Sequence, residues 1–183
     1  MKTKLTLMLL TLTGLMIFTG QLLGGSSAAT VGHHVNPDYR GGSTFNLVNA
    51  GPNVARCGAF PENIELSFTG SGIDTEGGYN TAVFSACTNT ATNEVSDLRA
   101  TDTYAQTGDQ VFIEGDPFVL VPNPAICAAA NAHGVPFRVV GGTGKYAGAT
   151  GHGRFNIFSN LTPCNGQVLP AHVTFEGMIK WLQ

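Results

Sequence analysis

Ile64, Leu66 and Phe68 alternate with Glu65, Ser67 and Thr69, a period of two that suits an extended strand with one buried face. Gly70-Ser71-Gly72 ends or bends this segment. Tyr79 to Cys87 continues in the same style, and Gly77-Gly78 before it supplies a turn that pairs the two as a hairpin. The pattern recurs further on. Ser96 to Ala105, the turn Thr107-Gly108-Asp109, then Gln110 to Glu114 and Phe118 to Val121 imply a second hairpin. Asn123-Pro124 interrupts the strands, and Ala128-Ala129-Ala130 reads as a short helical turn. Phe137 to Val140, Arg154 to Phe158 and Ala171 to Trp181 complete the set. In the last, Val173, Phe175, Ile179 and Trp181 share one face with Gly177, while His172, Thr174, Glu176 and Lys180 share the other. Roughly seven or eight short strands separated by turns imply an all-β barrel or sandwich.

Composition agrees. Charged residues are 11% of the chain, against roughly 25% in an average globular protein, and glycine is abundant, which favours turns and strands over helix. The formal charge is −3, and loss of the basic N-terminus would make it more negative. No nucleic-acid partner and no anionic membrane surface is expected for such a chain.

That basic N-terminus is short. Lys2 and Lys4 precede an apolar run from Leu5 to Phe18, and Ser27 and Ala29 supply small residues at the −3 and −1 positions of a cleavage site. Residues 1–29 are therefore expected to be a signal peptide, with no membrane span after cleavage and a secreted or periplasmic destination. The apolar run is shorter than the ~20 residues that cross a bilayer. About 150 residues remain, enough for one domain. Within 30–58, Phe45-Asn46-Leu47-Val48 is the one strand-like island, so this part reads as an N-terminal arm and first strand leading to a barrel domain at 59–183. Cys57, Cys87, Cys127 and Cys164 make an even count in an exported chain, which predicts two disulfides in any of three pairings. A four-thiolate zinc site is the rival, but these cysteines lack the close pairs that zinc sites use.

The most distinctive segment runs from Val139 to Gly153. Gly142-Thr143-Gly144-Lys145-Tyr146-Ala147 matches a dinucleotide fingerprint by letter, yet Gly148, Gly151 and Gly153 follow where a helix should begin. A phosphate loop fails too, because Val139 stands at its first glycine and Tyr146 follows the lysine. The run instead resembles the G-G-[ST]-G-x-[FY]-x-G-x-x-G signature of the allene oxide cyclase and dirigent barrel families, carried here by Gly141, Gly142, Thr143, Gly144, Tyr146, Gly148 and Gly151. It is similar also to exported bacterial barrels of that superfamily. The resemblance extends over about Glu62 to Trp181. It implies a single antiparallel eight-stranded, calycin-like barrel, a lumen for a small apolar molecule and a homo-oligomer, trimer or dimer. It also implies that catalysis, where present, is of the cyclase or isomerase type and acts by confining the substrate. The glycines themselves are an architectural motif.

No catalytic set stands out. His33, His34, His133, His152 and His172 lack metal-ligand spacing, so no metal and no cofactor is expected, and no G-x-S-x-G elbow is present. Asn160-Leu161-Thr162 matches a glycosylation sequon, weakened by Pro163. Glu65, Asp102, Tyr104, Glu114, Arg154, His172 and Glu176 lie on expected strands and become acid, base or anchor candidates if their faces point inward. Arg154 and Glu176 come first among them, because buried charges require partners. Three functions follow: a secreted barrel binding a small apolar ligand, a cyclase or isomerase, and an oligomeric surface-interaction protein.

Overall fold

The computed structural model describes residues 32–159 and 170–182. The signal-peptide segment, the sequon and Cys164 lie outside the described residues. Strands β1 (His33–Gly51), β2 (Asn63–Asp74), β3 (Gly78–Asn89), β4 (Glu94–Tyr104) and β5 (Gln110–Gly115) are followed by β6 (Phe118–Asn123), β7 (Ala128–Asn131), β8 (Val135–Gly142), β9 (Thr150–Ser159) and β10 (Ala171–Leu182). A four-residue helix α1 (Val54–Cys57) and a 3₁₀ turn (Gly144–Tyr146) complete the elements.

All ten strands belong to one antiparallel sheet in which β10 pairs with both β1 and β9, so the sheet closes on itself. The count is eight rather than ten because two strands are broken. β5 runs on into β6 across Asp116-Pro117, and both pair with β4. β7 runs on into β8 across Gly134, and both pair with β9. Pro117 has no N–H for the ladder, which localises the first break. Closure removes the free edges that an open sheet of this size would expose.

Both expected hairpins are present, with Asp74 opposite Gly78 between β2 and β3 and Thr103 opposite Gln110 between β4 and β5. Two segments differ from the sequence reading. The stretch around Phe45–Val48 is part of a 19-residue strand, paired with β10 along its first half and β2 along its second. Its Gly, Asn and Pro content is accommodated because a bulge between Asn36 and Tyr39 takes up Pro37. Ala128–Ala130 is strand, not helix. Its backbone is claimed by β6 and β9, and Ala128 and Ala129 are buried, so tertiary pairing overrides alanine's helix preference.

Inside, each strand contributes its apolar face, and β10 follows the expected alternation, with Ile179 and Trp181 buried and His172, Glu176 and Lys180 exposed. In β4, Asp97 adopts φ 46° beside a register shift, which brings both Val95 and the series Leu98, Ala100, Asp102, Tyr104 to the inner side.

Outside, α1 is fastened to the barrel. Asn53 caps it by accepting from the Arg56 N–H, and Arg56, largely covered, donates to Glu65, to Asp97 (Nε to Oδ2, 2.6 Å) and to the Ser85 hydroxyl (2.8 Å). Next to it Cys57 is bonded to Cys87 of β3 across a sequence separation of 30. Cys127 is also disulfide-bonded. Closing the Cys57–Cys87 loop, a separation of 30, stabilises the fold by about 3.5 kcal/mol. A Cys57→Ala/Cys87→Ala double variant is therefore expected to lose about that much in urea unfolding with a raised m-value, because the unlinked denatured chain exposes more surface, whereas a loss under 1 kcal/mol would show that Arg56 and its partners hold α1 unaided.

Candidate functional site in the barrel lumen

The strand alternation that builds the core also leaves a narrow space inside it. A cavity of about 60 Å³ is walled by Phe45, Phe84, Ile113, Phe137, Phe155 and Phe175, with Asp102 and Ser43 the polar residues in its lining. The rings pack edge-to-face, Phe45 on Phe84 at 4.7 Å and Phe137 on Phe175 at 6.2 Å between centroids. Toward the β6–β7 end the lumen continues as a pocket of about 20 Å³ beside Phe118, Leu120, Thr88 and Ser159. The Thr88 hydroxyl there is buried and unpartnered. The main cavity is smaller than the roughly 150 Å³ that holds benzene in an engineered apolar site. A ligand of a few heavy atoms fits; a larger one requires the phenylalanines to turn.

The other end is shut by aromatic residues. Tyr39 and Tyr146 are wholly buried, Tyr104 and Trp181 nearly so, and Tyr146 touches both Tyr104 (5.1 Å) and Trp181 (5.3 Å). The glycine run explains how Tyr146 gets there. Gly142 passes so close to β5 that a Cβ on it would sit 2.2 Å from the Gln110 carbonyl oxygen, and Gly144 turns at φ 55° to start the 3₁₀ turn that carries the tyrosine inward. Tyr146 then donates to Glu76 Oε1 at 3.2 Å, while Lys145 Nζ lies 3.1 Å from the same oxygen.

Beneath this plug, Asp74 is fully satisfied. Its carboxylate accepts from the Glu76 and Gly77 backbone N–H groups (both 2.8 Å), from Tyr104 Oη (2.9 Å) and from Asn80 Nδ2 (3.1 Å). Asp102 is the opposite case. It is 6% exposed, and among the described residues no group donates to its carboxyl. Burial, followed by the charge of Asp74, pushes its pKa up to about 7. Tyr104 is held firmly protonated, again chiefly by burial, and so acts as a donor. The lumen therefore holds one acid that changes charge near neutrality inside an apolar wall, an arrangement able to anchor a polar group or exchange a proton with it.

Of the seven polar strand residues that the sequence offers, two point in: Asp102 and Tyr104. Arg154 and Glu176, the first suspects, are exposed neighbours opposite each other on β9 and β10, and Arg154 donates to the Gly134 carbonyl at 2.7 Å. They face out because Phe155 and Phe175 beside them take the inner positions. Glu65 serves Arg56, Glu114 is 3.8 Å from Arg138, and His172 shares a hydrogen bond with Thr44, all on the outer surface. The phase of β4 could have singled out Asp102, since it alternates with Leu98 and Tyr104 against Arg99, Thr101 and Thr103. Glu76 lies in a turn, which carries no periodic signal, and Asp74 and Asn80 sit at the strand ends beside it, where the apolar alternation has stopped.

A wider open groove of about 430 Å³ crosses the outer face of β10, β1, β2 and β3 between Ile73, Tyr79 and His172. Its walls are mostly glycine and hydroxyl side chains, none of them a buried unpartnered polar group. The lumen, with its buried Asp102, is the better candidate.

No family model matches the chain, and no curated protein matches it. Among solved structures it is similar to the pterocarpan synthase dirigent protein GePTS1, with a TM-score of 0.47 and 11% sequence identity over 81% of this chain and 86% of that one.

Proposed function

We propose that this chain is an exported barrel that binds a small, largely apolar ligand in its lumen, with Asp102 as the polar anchor. The observation that carries the reading is the Asp102 carboxyl, to which no described residue donates, in a cavity whose other lining residues are apolar except Ser43. Burying a polar group without a partner costs about 1–3 kcal/mol, a cost that a folding-only core avoids. The Cys57–Cys87 bond supports an oxidising destination, as expected after signal-peptide cleavage. Ala100 sits on the cavity wall, and the three carbons added by Ala100→Leu would occupy it. Small-alcohol binding, followed by methyl NMR of Ile113 and Val173, is expected to weaken on the order of tenfold or more in Ala100→Leu. Unchanged binding in that variant would place the ligand elsewhere.

The same carboxyl favours a second reading, a cyclase or isomerase that confines its substrate and uses Asp102 as general acid or base. An acid poised near pH 7 is suited to either role. In that case Asp102→Asn abolishes turnover while retaining ligand binding, and the rate profile bends near pH 7. A rate unaffected by the substitution would exclude it.

A further inference from the structure

The charge pattern of the lumen says more than its size, provided the lumen is a ligand site as proposed above. Asp102 is the one charged side chain among the described residues that line the cavity. Asp74 adds a second acid at the floor, joined to the space through Tyr104. No base balances them. Every described lysine, arginine and histidine is exposed except Arg56, and Arg56 is held on the outer surface by Glu65 and Asp97. Residues 160–169 carry no charged side chain in the sequence.

The walls add to this polarity. Five phenylalanines line the same cavity as the carboxyl, and ring faces attract cations and repel anions, by up to about 2 kcal/mol in a desolvated site. A neutral ligand would leave the potential of the two acids unanswered. An anion would meet it directly in a medium of low dielectric, where like charges a few ångströms apart oppose each other strongly. A protonated amine answers it twice, by a charge-assisted hydrogen bond to the carboxylate and by contact with the rings.

We propose that the lumen selects ligands bearing a basic nitrogen, whose ammonium group meets the Asp102 carboxylate, and that it rejects carboxylic acids. The nitrogen lies at the Asp102 end and the apolar part of the ligand points along the lumen toward Ile157 and Phe84, which line both inner pockets.

Three probes of matched length test this: n-butylamine, n-butanol and butyrate, titrated into the full mature protein at pH 7.5 and followed by methyl NMR. Butylamine is expected to bind on the order of tenfold or more tighter than butanol, and butyrate not at all. Its affinity should rise between pH 6 and 8 as Asp102 ionises, while that of butanol stays level or falls. In Asp102→Asn the two should bind alike, and Ala100→Leu should weaken both. Butanol binding as tightly as butylamine, or an amine preference that survives Asp102→Asn, overturns the amine assignment and leaves the ligand-binding lumen standing. If none of the three shifts a lumen methyl, the lumen reading falls and this assignment with it.

Discussion

Asp102→Asn is expected to unfold at a temperature on the order of 10 °C above the parent protein at pH 8, with the gap closing toward pH 4. The cause is proton linkage. In the unfolded chain Asp102 titrates near its ordinary 3.8, and in the fold near 7. Between those values the folded protein holds a proton that the unfolded chain has released, so stability falls as pH rises across the window. Above about pH 7 the loss is complete. A difference of about three pKa units corresponds to about 4 kcal/mol, and for a group this buried little solvent screening reduces it. Asparagine has nearly the same shape and no charge to expel, so it shares the stability of the protonated acid at every pH.

Other carboxylates pull the opposite way and must be cancelled. Asp97 and Glu65 are held below their usual range by Arg56, with Asn53 the larger contributor for Glu65. Their stabilisation is present at neutral pH and is lost as pH falls through their lowered pKa values. Because both proteins keep these groups, the difference between two melting curves, not either curve alone, reports Asp102. Parallel curves from pH 4 to 8 would show that the carboxyl is hydrated in solution and would remove the physical basis for the lumen site. A gain in stability coupled to loss of ligand would instead be the trade-off expected when a functional group is kept against the interest of the fold.

How far the sequence leads can be judged from particular strands. β2, β3 and β10 are legible because alternation between apolar and polar residues reports a sheet with one wet face, and both hairpin turns are marked by glycine. β1 is illegible over most of its length, since Pro37, Gly41 and Gly42 weaken the signal and its pairing with β10 bridges residues more than a hundred positions apart. The β5/β6 break is set locally by Pro117, whereas alanines 128–130 became strand through their pairing with β6 and β9, which no local preference reports. The site follows the same rule. Asp102 lies in a readable alternating strand, but its importance comes from what it lacks, a hydrogen-bond partner, and only the assembled lumen can show that. Arg154 and Glu176 attracted notice as charges on strands, yet inner positions go first to apolar neighbours, and in these two strands phenylalanine holds them.

Gly142→Ala and Gly148→Ala should separate what the glycine run does for folding from what it does for the lumen. At Gly148, φ is 70° and a Cβ would meet nothing within 4 Å, so alanine costs only backbone strain, about 1 kcal/mol. At Gly142 a Cβ would lie 2.2 Å from the Gln110 carbonyl oxygen and 2.7 Å from the Tyr146 Cβ. Neither neighbour can yield cheaply. Gln110 O already accepts from Thr143 N at 2.9 Å at the edge of the β5–β8 ladder, and Tyr146 is packed without exposure beneath Trp181. Relief requires residue 142 to draw away from β5, which carries the following 3₁₀ turn and Tyr146 out of the floor, and losing a buried aromatic of that size costs about 3–5 kcal/mol. Urea unfolding of the two variants should therefore differ by several-fold in ΔΔG, with near-ultraviolet circular dichroism reporting loss of the Tyr104–Tyr146–Trp181 contacts in Gly142→Ala alone. An opened floor also lets water reach Asp102, which draws its pKa back toward the ordinary range. In the Gly142→Ala background, then, the pH-dependent advantage of Asp102→Asn should shrink well below about 4 kcal/mol. If the advantage persists in full after Tyr146 has left the floor, the phenylalanine walls, and not the glycine-borne tyrosine, are what keep the acid dry.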